Sequence, residues 1–262
     1  MSENSIDHIV DLQACPLDDT AFRQHCKDTL NNDGVLLLSR FLTSDALTAL
    51  AAEGHDNQPR AYFTQSAHNV YLSPTDPDHP PEHARNRTVR STKGCITTDQ
   101  IPDNSALRSL YDSRRFRAFL CAVLEEDELH EYADPLSGIN LHYAAKGQEL
   151  GWHFDNSSFA ITLLIQQPTG GGVFEYVRDA RNAEEGDMNF ALATDILDGK
   201  ASVSQLAMQP GALVLFRGRN SIHRVTPTQG QVTRMLAVLA YNTQPGISLS
   251  ESARMTFYGR LG

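Results

Sequence analysis

The chain has 262 residues and a mass of 29.0 kDa, with 40 % hydrophobic and 21 % charged residues, a composition that can bury a substantial core and is not that of a disordered protein. Its 22 basic residues against 32 acidic ones leave a net charge of −10, which repels nucleic acid and anionic membrane surfaces, so neither is expected as a partner. Cys15, Cys26, Cys95 and Cys121 form no C-x-x-C pair, and Met1 to Leu12 has neither a basic n-region nor an apolar h-region. A reduced, cytoplasmic protein is expected.

In chain order, Asp18 to Leu30 has apolar residues at helical spacing, and Gly34 to Ser39 is a short apolar run that reads as a buried strand. A second helix is predicted from a cap at Thr43 or Ser44, with Asp45 in its first turn, to an end near Gly54. Residues 64–98 contain Pro74, Pro77, Pro80 and Pro81 without sustained periodicity and predict a long irregular loop, of the kind that serves as a lid. That loop carries Arg85, Arg87, Arg90 and Lys93 in an otherwise acidic protein. Most of this cluster reads as solvated, and Arg90 is the candidate for gripping a substrate carboxylate. A third helix is predicted over Ser105 to Leu124, followed by the acidic, surface-facing stretch Glu125 to Glu128.

After Asp134 the pattern changes to short apolar or alternating runs at 139–143, 159–165, 173–177, 212–216 and 235–241, separated by Gly, Pro, Asn and Gln clusters. These are the marks of antiparallel strands joined by turns. The fold class expected is α+β: a double-sheet jelly roll of cupin-like kind over 136–262, with a helical N-terminal part, 1–135, packed outside it in one domain. Residues 178–206 form an insertion, partly helical, between strands. The triplet at 170–172 lacks the strand-to-helix context of a phosphate loop and reads as a hairpin turn. His68, His79, His83 and His130 have no metal-ligand spacing with an acid and are expected at the surface.

The chemistry concentrates in Gly151-Trp-His-Phe-Asp155. In an extended segment alternate side chains share a face, so His153 and Asp155 converge with Cα atoms roughly 6.5–7 Å apart. His223 completes a two-histidine, one-carboxylate facial set, which leaves adjacent coordination places open, as non-haem ferrous oxygenases require. Arg234 follows 11 positions later, across the turn-forming segment 226–231. A hairpin centred between Thr228 and Gln229 would set residues 223 and 234 opposite each other on one sheet face. A buried guanidinium there calls for a carboxylate partner.

This ordered set, His153-x-Asp155, His223 and Arg234 within a β-rich half, resembles the 2-oxoglutarate/iron(II) dioxygenase superfamily. More narrowly, 151–159, 163–167 and 170–176 are similar to the free-amino-acid radical halogenases and their hydroxylating relatives. The resemblance implies a double-stranded β-helix, Fe(II), 2-oxoglutarate and O₂ as cofactors, metal ligands His153, Asp155 and His223, and Arg234 on the far carboxylate of the oxoacid. It also implies hydroxylation of a small, amino-acid-like molecule, because the halogenating members carry a small residue where this chain has Asp155. Tyr143 is a candidate hydroxyl donor to the cosubstrate, and Asn156, directly after the ligand segment, a candidate substrate contact. Two other readings compete: a cupin-like metalloenzyme that does not use 2-oxoglutarate, for which a buried Arg234 would have no purpose, and a binding module without catalysis.

Overall fold

The computed structural model describes residues 5–262; the first four residues of the N-terminal stretch read above lie outside them. The N-terminal part comprises α1 (Thr20–Asp33), β1 (Val35–Leu38), α2 (Ser44–Asn57), β2 (Tyr62–Asn69), β3 (Thr88–Ile96), α3 (Ala106–Tyr111), α4 (Arg114–Leu124) and the two-residue β4 (His130–Glu131). The C-terminal part continues with β5 (Ile139–Ala144), β6 (Leu150–His153), β7 (Ala160–Gln166), β8 (Gly170–Gly171), β9 (Phe174–Val177) and α5 (Phe190–Leu197). It ends with β10 (Ser204–Leu206), β11 (Leu213–Phe216), β12 (Ile222–Val225), β13 (Thr228–Gln229), β14 (Arg234–Leu239), β15 (Tyr241–Asn242) and α6 (Glu251–Tyr258).

Local chemistry sets the helix ends. The Asp19 carboxylate accepts from the Phe22 amide at 2.7 Å to open α1, and Gly34 closes it in the left-handed region at φ 71°. Thr43 caps α2 by accepting from the Ala46 amide. The single helix expected over 105–124 is two, because Ser113 turns the chain and caps α4 by accepting from the Phe116 amide at 3.2 Å. Gly54 does not end α2. It lies inside the helix, where a Cβ would come within 2.8 Å of Met235 Sδ, so its lack of a side chain lets α2 lie flat on β14.

Two antiparallel sheets form the jelly roll. The larger has the order β1-β11-β7-β14-β5-β3-β2 and the smaller β10-β9-β12-β6. The stretch expected as a long loop is therefore a loop only at its centre: β2 and β3 pair along their whole length, from Tyr62↔Cys95 to Asn69↔Thr88, and β3 extends the large sheet beside β5. The four prolines all fall in the connection between them, where no ladder amide is needed. The hairpin expected to unite His223 and Arg234 is absent. β12 pairs with β9 and β6 in the small sheet, β14 pairs with β5 and β7 in the large one, and the intervening β13 pairs with β8. Residues 223 and 234 thus face each other from different sheets.

Strand alternation divides the large sheet cleanly. Ile139, Leu141, Tyr143, Met235, Ala237, Leu213 and Leu215 join the helical layer in one apolar core, whereas His142, Arg234, Leu236, Val238, Val214 and Phe216 point into the space between the sheets. Tyr143 consequently belongs to the core: it is wholly buried and its hydroxyl donates to the Gly54 carbonyl at 2.8 Å. Replacing Tyr143 with Phe should lower stability by about 0.5–1.5 kcal/mol, the value of one net hydrogen bond, because the Gly54 carbonyl keeps the Gln58 amide and loses only the hydroxyl. The denaturation midpoint checks this, and the affinity for 2-oxoglutarate should not change.

Candidate metal centre and cosubstrate cavity

Between the sheets lies a cavity of about 310 Å³ to which both contribute. On the small sheet, His153 ends β6 and is the direct register partner of His223 on β12. Their rings stand 4.2 Å apart between centroids. Each Nδ1 is held by a backbone carbonyl two residues earlier, Gly151 at 2.8 Å for His153 and Ser221 at 3.0 Å for His223. A carbonyl can only accept, so each Nδ1 carries the proton and each Nε2 presents a lone pair to the cavity. Burial, followed by the neighbouring His223, drives the His153 pKa well below the ordinary imidazole value, which keeps it neutral.

Asp155 sits just beyond β6, where its amide donates to the Gly218 carbonyl at 3.0 Å. Its Oδ1 lies 3.7 Å from His153 Nε2 and 3.6 Å from His223 Nε2. The three donor atoms are within 4.8 Å of one another. Oδ2 is buried with no hydrogen-bond partner, and a Cβ on Gly218 would fall on top of it. A carboxylate in a fitted recess with an orphaned oxygen, facing two imidazole lone pairs, matches the needs of a divalent metal. Behind it, Arg181 stacks 4.2 Å over the Phe154 ring and donates to the carbonyls of Arg219 and Asp155, fixing the turn that carries the carboxylate.

On the large sheet, Arg234 opens β14 with its head in the same cavity and is only 6 % exposed. Among the described residues it makes no ion pair and no side-chain hydrogen bond. Burial alone pulls its pKa down to about 10. An unpartnered buried guanidinium is a receptor awaiting an anion.

The other predicted site residues are elsewhere. Arg90 is exposed on β3 and points away from the cavity, toward a surface groove with Phe63 and Lys146, its guanidinium on Gln65 at 3.3 Å. Asn156 is exposed, and its contribution is a backbone carbonyl that accepts from Arg219 at 2.8 Å. Tyr143, as shown above, faces the helices. Arg85 and Arg87 are structural ties, to Pro74 and to Asp198 with Leu197. His68, expected at the surface, is half-buried and lines the cavity, its Nε2 2.7 Å from Ser91 Oγ. His79, His83 and His130 are half-buried too, the first two stacked 4.1 Å apart.

Lys93 lines the cavity without having been expected there, and His142, which its alternation with Asn140 on a strand marks as a residue near the metal set, lines it too. The signal was available in alternation: with Leu141 and Tyr143 on the core face, His142 must face the cavity, and with Arg90 outside on β3, Ser91 and Lys93 must be inside. The residues 88–96 become a strand only through pairing with the distant 62–69 and β5, which their own composition does not signal.

Comparison with known proteins agrees with this construction. A computed comparison with solved structures finds an oxidoreductase of the 2OG-Fe(II) oxygenase family from Burkholderia pseudomallei at 13 % identity and TM-score 0.56, covering 86 % of this chain and 93 % of that one. A prolyl-4-hydroxylase from Pseudomonas putida is similar at 14 % identity and TM-score 0.52, over 82 % and 96 % of the two chains. The non-heme alpha ketoglutarate dependent epimerase SnoN from nogalamycin biosynthesis is similar at 12 % identity and TM-score 0.60, over 85 % and 84 %. At such identities the likeness speaks for the fold, and among curated proteins none matches. The family model described as halogenase D matches residues 18–256. With that match spanning most of its length, the chain belongs to the halogenase D family.

Proposed function

We propose that this protein hydroxylates an unactivated C–H bond of a small molecule, an amino acid or a similar carboxylate. His153, Asp155 and His223 are the iron ligands, and Arg234 binds the distal carboxylate of 2-oxoglutarate. The observation that carries hydroxylation over halogenation is the carboxylate at position 155. Its recess against Gly218 is closed to any larger neighbour and its oxygen is directed to the two histidines, so the place a halide would take is filled by the protein.

Bound iron and 2-oxoglutarate together supply, by reduction of O₂ and loss of CO₂ from the oxoacid, an oxidant strong enough to take hydrogen from carbon. The chain's own residues do the rest. The carbonyls of Gly151 and Ser221 hold the imidazoles in the ligating tautomer. Val214, Phe216, Leu236 and Val238 wall the cavity with apolar surface that excludes water. Arg234 orients the cosubstrate from the opposite sheet, a role that a metalloenzyme without an oxoacid would not need. A small-molecule substrate is in keeping with the structure of SnoN solved in complex with Fe3+, alpha ketoglutarate and nogalamycin RO. Neither Glu149 nor Glu175, the acids near enough in sequence to serve a cationic substrate, lines the cavity, and Glu175 is engaged by Arg224 at 2.6 Å and Gln205 at 2.9 Å, which favours a neutral or acidic one.

Anaerobic addition of Fe(II) and 2-oxoglutarate should produce a weak visible metal-to-ligand absorption, and alanine at His153, Asp155 or His223 should abolish it. An unchanged spectrum in all three variants refutes the ligand set. Arg234→Gln should leave iron binding in place but weaken 2-oxoglutarate by roughly 30- to 1000-fold, the equivalent of about 2–4 kcal/mol for a charge-assisted bidentate pair. Titration of the same absorption measures it. In turnover with excess chloride, mass spectrometry should find hydroxylated and no chlorinated product. Asp155→Gly should bind iron more weakly and give at most a trace of chlorination.

A further inference from the structure

We propose that Lys93 is the anchor for an anionic group of the substrate, a carboxylate, at a subsite separate from the one that Arg234 provides for the cosubstrate. The inference rests on the assignment of Arg234 made above.

Lys93 projects from β3 into the metal cavity alongside Ser91 and is half-buried. Among the described residues its ammonium has no carboxylate partner. Its polar neighbour is His142, whose Nδ1 and Nε2 lie 3.4 and 3.3 Å from Nζ, and the Phe257 ring of α6 stands 5.9 Å away on the outer side. Burial lowers the Lys93 pKa, and burial, then the charges of Lys93 and Arg234, lowers that of His142 well below the ordinary value. The neutral imidazole can accept one hydrogen bond from the ammonium. It cannot balance the charge, so the remaining donors are open to a ligand.

Charge balance identifies that ligand. The cavity lining holds one carboxylate, Asp155, and two cations, Lys93 and Arg234. With a divalent metal the site carries three net positive charges, of which a dicarboxylate cosubstrate cancels two. One remains, and an uncompensated buried charge is costly. A substrate with one net negative charge removes it, and the carboxylate of a zwitterionic amino acid pairs with Lys93 locally without changing the sum.

The fold also keeps the two cations apart. In the large sheet β14 and β3 are separated by β5, so the strands bearing Arg234 and Lys93 run roughly 10 Å apart, with His142 on the strand between them. The sequence-based choice of Arg90 for this role lies three residues away, on the outer face of the same strand.

The test uses the iron- and 2-oxoglutarate-loaded protein without oxygen. The probes are the protein amino acids and their primary amides, which keep shape but lose the negative charge. Binding is read from the change in the visible absorption. In the wild type at least one acid should bind about 30-fold or more tightly than its amide. Lys93→Gln should bring that ratio close to one while the 2-oxoglutarate affinity stays within about threefold, and Lys93→Arg should restore most of the preference. Lys93→Met, of similar length, serves the same comparison should the glutamine variant misfold.

Three results would overturn the proposal: no acid outbinding its amide in the wild type, a preference that survives in Lys93→Gln, or a loss of 2-oxoglutarate binding in Lys93→Gln as large as in Arg234→Gln. Absence of the absorption in the wild type is a different failure. It would bring down the iron and 2-oxoglutarate reading, and this proposal with it.

Discussion

The alternation of side chains across the seven-stranded sheet is the constraint on which the site depends. Each of its central strands serves two masters: Met235 packs against α2 where Arg234 enters the cavity, and Tyr143 bonds to Gly54 where His142 enters it. A slip of one residue on β14 would bury the guanidinium under the helices and put the thioether beside the metal. The helix layer prevents that slip, since α2 can approach β14 only where Gly54 meets Met235. The packing of the core and the polarity of the cavity are thus one structural fact seen from two sides.

The small sheet contributes neutral donors and the large sheet contributes cations. Pairing His153 with His223 on adjacent strands brings two imidazoles together without a charge, because backbone carbonyls hold a proton on each Nδ1. Arg234 and Lys93 carry the opposite burden: both are desolvated without a protein anion, which costs folding free energy that the large apolar core must offset. Anionic ligands that bind the folded state alone would compensate them and so stabilise it. Apolar walls around those two cations make charge-assisted contacts stronger than they would be in water.

Membership of the halogenase D family gives Asp155 its meaning. The residue is integrated into the turn by the bond to Gly218, by the absence of a side chain on that glycine, and by Arg181 beneath Phe154. Removing its side chain would therefore leave a recess fitted to a carboxylate, with one fewer negative charge at the proposed metal site.

The sequence by itself singled out the residues proposed as the metal set and the oxoacid arginine, because these depend on short-range spacing and on the chemistry of residue types: His153-x-Asp155 within one extended segment, His223 and Arg234 flanking a turn-rich stretch. It also located β5, β7, β9, β11 and β14, whose apolar or alternating runs are continuous. Tertiary structure decided what depends on pairing between distant segments. Nothing local to 62–69 or 88–96 announces that they join the sheet beside β5, so Lys93 looked like part of a solvated loop and Arg90 like the better substrate anchor. The same long-range pairing sent β12 and β14 to different sheets, so that His223 and Arg234 meet across the cavity instead of along a hairpin. Which face of a strand is the inside is settled by the layer that covers the other face. Here that layer is the N-terminal helices, and it claimed Tyr143 and left His142 and Lys93 to the cavity.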